Sequence, residues 1–273
     1  MSNLNREETN KITIIIPTGN RVNVIEDSIK SALWADEVLV VDSFSTDGSF
    51  NIADKYADRV IQRKYINSAE QKNWAIPQAK NKWVFILDTD ERISEDLREE
   101  IKIAINSNAE FVGYKVPRIN YFLGKPMMHG GYYPDYQIRL FKRDYGKYDL
   151  RKVHAHVLLD GPQGTLGQSI IHYAHRSIDQ TLKNLLILMT GWEAEQRDDS
   201  TVQKGIWFQI LFRPVAAFFT RYVIKAGWRD GIRGLIYSII WAMYISITYM
   251  KIWERRLNLP PKWWFEELDI VNR

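Results

Sequence analysis

WVFILDTDER, residues 83–92, runs five apolar residues straight into three carboxylates within four positions, Asp88, Asp90 and Glu91. A short apolar run of this kind reads as a strand covered on both faces, as in a parallel sheet. Its acidic end then lies at the carboxyl end of that strand, where ligands of open α/β sheets gather. Residues two apart in extended backbone point the same way, so Asp88 and Asp90 are predicted to converge and to repel unless a cation lies between them. Two readings are open. A hard divalent cation, Mg²⁺ or Mn²⁺, bound by carboxylates and substrate phosphates would explain the pair. So would an acidic helix start, with Asp90 or Ser94 capping EDLREEIKIAI and Glu91 as first-turn acid.

Outward from this stretch, strand and helix patterns alternate. ITIII (12–16), stopped by Pro17, EVLVV (37–41), RVIQ (59–62) and WVFIL (83–87) read as strands. Between them, residues 24–33 place apolar side chains at helical spacing, NIADKYA follows Ser and Asp residues suited to capping, and SAEQKNWAIPQA is a helix carrying a proline. The pattern predicts an α/β fold with a mainly parallel central sheet. Asp42, like Asp88, falls at a strand end. FVGYKVPRINYFLG and YQIRLFKR continue as strands, a helix pattern runs from Asp179 to about Arg197, and the polar joint DDSTVQKG at 198–205 predicts a boundary, giving domains 1–198 and 199–273.

The chain has 273 residues, 37 Lys and Arg against 33 Asp and Glu, and no cysteine. That length is ample for a buried core, and the missing cysteine excludes disulfides and thiolate metal sites. A metal must therefore use oxygen or imidazole. The polar start MSNLNREETNK lacks the features of a secretory signal, which predicts a cytoplasmic location.

IIIPTGNRVNVIEDSIKSAL, VLVVDSFSTDGSFNIADKY, AEQKNWAIPQAKNKWVF and FILDTDERIS, in this order and spacing, resemble the family 2 glycosyltransferases. The closest likeness within that family is to the lipopolysaccharide core glucosyltransferase type. The resemblance implies a GT-A nucleotide-sugar-binding fold. It also implies that Thr18 and Asn20 line the nucleotide pocket, that Asp42 holds the uracil or ribose, and that Lys72 approaches the nucleotide. Asp88 would contact the sugar or ribose, Asp90 would bind the metal at the diphosphate, and Asp135, in GGYYPDYQIRLFKR, would be the base. In LRKVHAHVLLDG, His154 matches a metal or diphosphate contact, but Ala155 stands where the family has Glu. His156 is a possible partial substitute. Gly19 replaces a common aromatic, and Tyr132, Tyr133 and Tyr136 suit either an acceptor site or a core cluster.

After the joint, two apolar, aromatic runs are separated by RDGIRG. LIYSIIWAMYISITYM (235–250) is sixteen residues, short of the roughly 20 a spanning helix needs. Arg213, Arg221, Lys225, Arg229, Arg233, Lys251, Arg255 and Arg256 flank the runs. The pattern predicts a helical hairpin lying on an anionic membrane surface, with two packed core helices as the alternative. With these features, the resemblance implies an inverting, Mg²⁺- or Mn²⁺-dependent transferase. It would move a hexose, most simply glucose, from a UDP-sugar to a hydroxyl of a lipid-linked glycan or lipopolysaccharide core acceptor. No nucleic acid is implied, and the location is the cytoplasmic face of the inner membrane. The alternatives are sugar transfer to a polyprenyl phosphate and an inactive nucleotide-sugar-binding scaffold.

Overall fold

The computed structural model describes residues 11–107, 110–149, 155–197 and 205–257, and divides into two compact units, 1–176 and 177–273. The division falls before the joint expected at 198, because the helix over 178–196 groups with the C-terminal helices.

The first unit opens with the alternation read from the sequence: β1 (Ile12–Thr18), α1 (Ile25–Ala32), β2 (Glu37–Asp42), α2 (Ser49–Tyr56), β3 (Arg59–Gln62), α3 (Ser68–Ala75) and β4 (Trp83–Ile86). These four strands are parallel neighbours in the order β3-β2-β1-β4. Pro17 does not end β1. Pairing with β4 stops at Ile15, and Ile15 accepts from Leu87 on that side, so the missing N–H of Pro17 faces the same side beyond the last pair and costs no ladder bond. β1, β2 and β4 are buried along nearly their whole lengths, with Ile14, Ile16, Val38, Val40 and Phe85 packed on one face and Ile15, Leu39, Val41, Val84 and Ile86 on the other. That explains apolar runs without alternation. α3 is capped by Asn67, whose Oδ1 accepts from the Glu70 N–H at 2.9 Å.

The chain then makes β5 (Glu91–Arg92), α4 (Glu95–Asn106), β6 (Gly113–Phe122), β7 (Lys125–Pro126), β8 (Asp135–Lys142), β9 (Gly146–Tyr148), β10 (Val157–Leu159), β11 (Gln163–Thr165) and β12 (Ile170–His175). β8 inserts antiparallel between β4 and β6, and β12 lies parallel to β6 and antiparallel to β5. The mainly parallel half thus meets a mixed half at β4. That junction brings residues of β6, β8 and β12 to the carboxyl end of β4.

The second unit contains α5 (Ile178–Leu182) and α6 (Thr190–Gln196), joined through a π-helical stretch, Lys183–Met189, then α7 (Ile206–Phe219) and α8 (Gly231–Arg256). α7 and α8 are antiparallel: Ser246 Oγ donates to the Ile210 carbonyl at 3.1 Å, and just past α7 Arg221 lies over the Trp241 ring, 4.0 Å from its centroid. Near the turn a Cβ on Gly234 would lie 1.9 Å from the Gly227 carbonyl oxygen, so only glycine permits that approach. The helix around the sixteen-residue run is longer than the run. α8 has 26 residues, about 39 Å at 1.5 Å per residue, and residues 227–256 are long and apolar enough by length and composition to cross a membrane.

Candidate active site

Beyond β4 the backbone turns, and the two aspartates part. The convergence expected from strand geometry fails because the strand ends at Ile86, so residues 88–90 no longer alternate. Asp88 turns to two cations, with Lys72 Nζ at 2.9 Å and Arg139 Nη2 at 2.7 Å. Burial opposes its ionisation, but Arg139 and Lys72 outweigh this and hold its carboxyl well below the usual carboxylate range.

Glu91 is not a helix-start acid. The helix begins at Glu95, capped by Ser94, whose Oγ accepts from the Leu97 N–H at 3.3 Å. Glu91 is fully buried and takes one bond from the Asp88 N–H at 3.0 Å, one from Arg139 at 2.6 Å and one from Arg118 at 3.2 Å. Arg118 in turn holds Asp135 through Nε at 2.9 Å and Nη2 at 2.6 Å. The result is a chain of alternating charge: Lys72, Asp88, Arg139, Glu91, Arg118, Asp135. Each interior member has a counter-charge on both sides, which is the condition under which buried charges are tolerated.

Asp90 faces elsewhere. Its carboxylate lies 3.7 Å from His172 Nε2. Asn120 fixes the imidazole: its Nδ2 donates to Asp135 Oδ2 at 3.2 Å and to the Tyr132 carbonyl at 3.4 Å, so its Oδ1 must accept from His172 Nδ1, 2.6 Å away. In the neutral ring Nε2 then carries a lone pair toward Asp90. Burial works against an ionised Asp90, yet when the ring is protonated its Nε2–H and its charge lower the Asp90 pKa. One carboxylate and one imidazole nitrogen suit a hard divalent cation that completes its shell with water and phosphate oxygens. No group of three or more histidine or acidic residues that could hold a metal occurs among the described residues. His154 lies outside the described residues. His172 was not anticipated as a ligand.

Thr18, Asn20, Lys72, Asp88, Asp90 and His172 line one cavity of about 640 Å³. Asn20, at φ 52°, accepts from the Thr46 N–H at 2.8 Å and donates its own N–H to Ser45 Oγ at 2.9 Å, bracing the 43–49 loop. Asp42 is brought close but does not line the cavity. It is fully buried, and its carboxylate is bound by the Ser45 N–H and hydroxyl and by Gln62 Nε2 at 2.9 Å, so it shapes the loop. Asp135 also lies off the cavity wall. Besides Arg118 and Asn120 it accepts from Gln137 Nε2 at 2.8 Å. Burial would raise its pKa, but Arg118 outweighs this and lowers it. A second cavity of about 700 Å³ shares Ser68, Lys72 and Asp88 with the first and continues along Arg118, Tyr136, Arg139, Ala155 and His156. Of the three tyrosines, Tyr136 is exposed on that wall, while Tyr132 is buried and Tyr133 reaches Ser169 at 3.3 Å.

A sheet of this order, with its acids beyond the central strand and two adjoining cavities there, defines a glycosyltransferase domain of the GT-A type. The Glycosyl transferase family 2 model matches residues 13–159, and the chain belongs to that family. It is 30% identical over 245 residues to the lipopolysaccharide core biosynthesis glycosyltransferase LpsC of Rhizobium meliloti (strain 1021), covering 83% of this chain and 86% of that protein. It is 25% identical to the uncharacterized glycosyltransferase RC0292 of Rickettsia conorii, covering 93% and 94% of the two chains. Among solved structures, the mannosyltransferase PcManGT of Pyrobaculum calidifontis, in complex with GDP-Man and Mn²⁺, shares the fold at a TM-score of 0.52. That match has 14% identity and covers 89% of this chain and 87% of that one.

Proposed function

We propose that the protein is an inverting, metal-dependent hexosyltransferase. It would transfer glucose from UDP-glucose to a hydroxyl of a lipid-linked, lipopolysaccharide-core type saccharide at the cytoplasmic face of the inner membrane. The observation that carries the reading is the first cavity, where Asp90 and His172 stand as paired donors beside the Lys72–Asp88 ion pair. Its support in sequence is the likeness to LpsC, and inversion is carried over from the family resemblance. The donor nucleotide occupies this cavity, between the Thr18–Asn20 loop and Lys72. Asp90 and His172 would hold a divalent cation, which when bound neutralises charge on the departing diphosphate. Lys72 adds a fixed positive charge at the same end, and Asp88 keeps Lys72 and Arg139 in place. The acceptor occupies the second cavity, its hydroxyl oxygen attacking the anomeric carbon as UDP leaves.

Asp135, ionised at neutral pH and oriented by Arg118, takes the hydroxyl proton. Asp135→Asn is expected to lower transfer about 10²–10⁴-fold, read from initial rates with labelled donor. The donors already on Asp135 favour one rival: a polyprenyl phosphate acceptor is itself a nucleophile and needs no base. Unchanged turnover in Asp135→Asn would select that rival.

The second unit supplies membrane attachment in this reading. α7 exposes Trp207, Phe208, Leu211, Phe212, Val215 and Phe219, with Arg213 and Arg221 on the same helical segment. Apolar rings beside arginines suit an anionic interface. Replacing Trp207, Phe208 and Phe212 together by Ser is expected to weaken co-sedimentation with anionic vesicles at least tenfold. Unchanged co-sedimentation would refute attachment through this face.

A further inference from the structure

The second cavity has a cationic wall. Lys72, Lys115, Arg118 and Arg139 line it against one lining carboxylate, Asp88. Three of these cations belong to the chain of alternating charge, which is neutral as a whole: Lys72, Arg118 and Arg139 match Asp88, Glu91 and Asp135. Lys115 stands outside that balance. It lies on β6 opposite Ile138 of β8 and has no ion-pair partner among the described residues. Arg139, 5% exposed, also keeps its Nε–H without a hydrogen-bond partner among the described residues. With Lys115 unbalanced, the wall carries surplus positive charge beside the exposed aromatic ring of Tyr136.

We infer that the cavity selects an acceptor saccharide bearing an anionic substituent, a carboxylate or a phosphate ester, and that Lys115 reads it. The ammonium group is a compact point charge suited to either anion. Its hydrogen bonds to an ionised acceptor are roughly twice as strong as neutral ones. His156, on the same wall, adds a ring nitrogen. The sugar ring lies against Tyr136, whose face accommodates neutral and charged sugars alike, so discrimination falls to Lys115. This inference rests on the glycosyltransferase reading above.

The test is a ligand-observed NMR titration of the full chain, saturated with UDP and Mg²⁺, with glucose, glucuronate and glucose 6-phosphate. Wild type, Lys115→Ala and Lys115→Arg are compared. One or both charged sugars are expected to bind about tenfold or more tighter than glucose. The preference disappears in Lys115→Ala and is largely kept in Lys115→Arg, and the tighter charged sugar identifies the anion as carboxylate or phosphate. Equal binding of all three sugars with UDP bound, or a preference untouched in Lys115→Ala, overturns the inference alone. Failure of UDP to bind, read from thermal stabilisation of the same samples, overturns the donor reading and the inference with it.

Discussion

Asp90→Asn is expected to lower sugar transfer on the order of 10²–10³-fold, the loss typical of removing a preorganised stabiliser of developing charge. The melting temperature should stay near that of the wild type. The asymmetry follows from how little else the side chain does. Its carboxylate is 42% exposed, pairs with His172 at 3.7 Å and otherwise faces the cavity. Asparagine keeps its shape and removes the charge a divalent cation needs. Initial rates across a Mn²⁺ titration, with thermal melts of the same preparation, check both halves. Full activity in the variant would remove Asp90 from the donor site.

Glu91→Gln carries the opposite signature, a large loss of stability. Breaking a buried ion pair from one side typically costs about 3–5 kcal/mol. Here the low end, about 3 kcal/mol, is expected, because Arg139 retains Asp88 and Arg118 retains Asp135. For a chain of this size that is a fall in melting temperature of roughly 6–12 °C. Glu91 is fully buried and accepts from both arginines through the same oxygen, Oε1, so a neutral amide either turns its N–H donors toward both of them or loses the acceptor for the Asp88 N–H. A melting temperature within a degree or two of wild type would show that the chain of charges contributes no net stability.

The parallel half of the sheet was legible in sequence because β1, β2 and β4 are covered on both faces and so appear as unbroken apolar runs, each closed by an acid or a turn. β6 and β8 were also visible as strands, but not their order. That order matters, because the partners of Glu91 lie 27 and 48 positions away at Arg118 and Arg139, and only the insertion of β8 beside β4 brings them together. Local pattern therefore assigned Glu91 to the next helix, whose start lies four residues on. A signal was present in IRLF, where an arginine sits inside an apolar strand run and must be paired if buried. His172 was missed for the same reason: Asn120, which orients it, is 52 residues distant. The divergence of Asp88 and Asp90 was misread because a period of two was extended past the strand's last residue. Asp42 fell at a strand end as expected, yet its carboxylate is taken up by Ser45 and Gln62. Position at a strand end is thus not by itself contact with the cavity.

The central claim is a UDP-sugar site completed by a divalent cation at Asp90, and it is tested most directly by thermal melts across a panel of nucleotide-sugars with and without Mn²⁺. At a ligand concentration 100 times Kd, specific binding stabilises by about 2.7 kcal/mol, several degrees for this chain. UDP-glucose with Mn²⁺ is predicted to give that shift in the wild type, a much smaller one without the metal, and none beyond the metal-free value in Asp90→Asn. Stabilisation by a GDP-sugar in preference to UDP-sugars, or by UDP-glucose to the same extent with and without Mn²⁺, would contradict it.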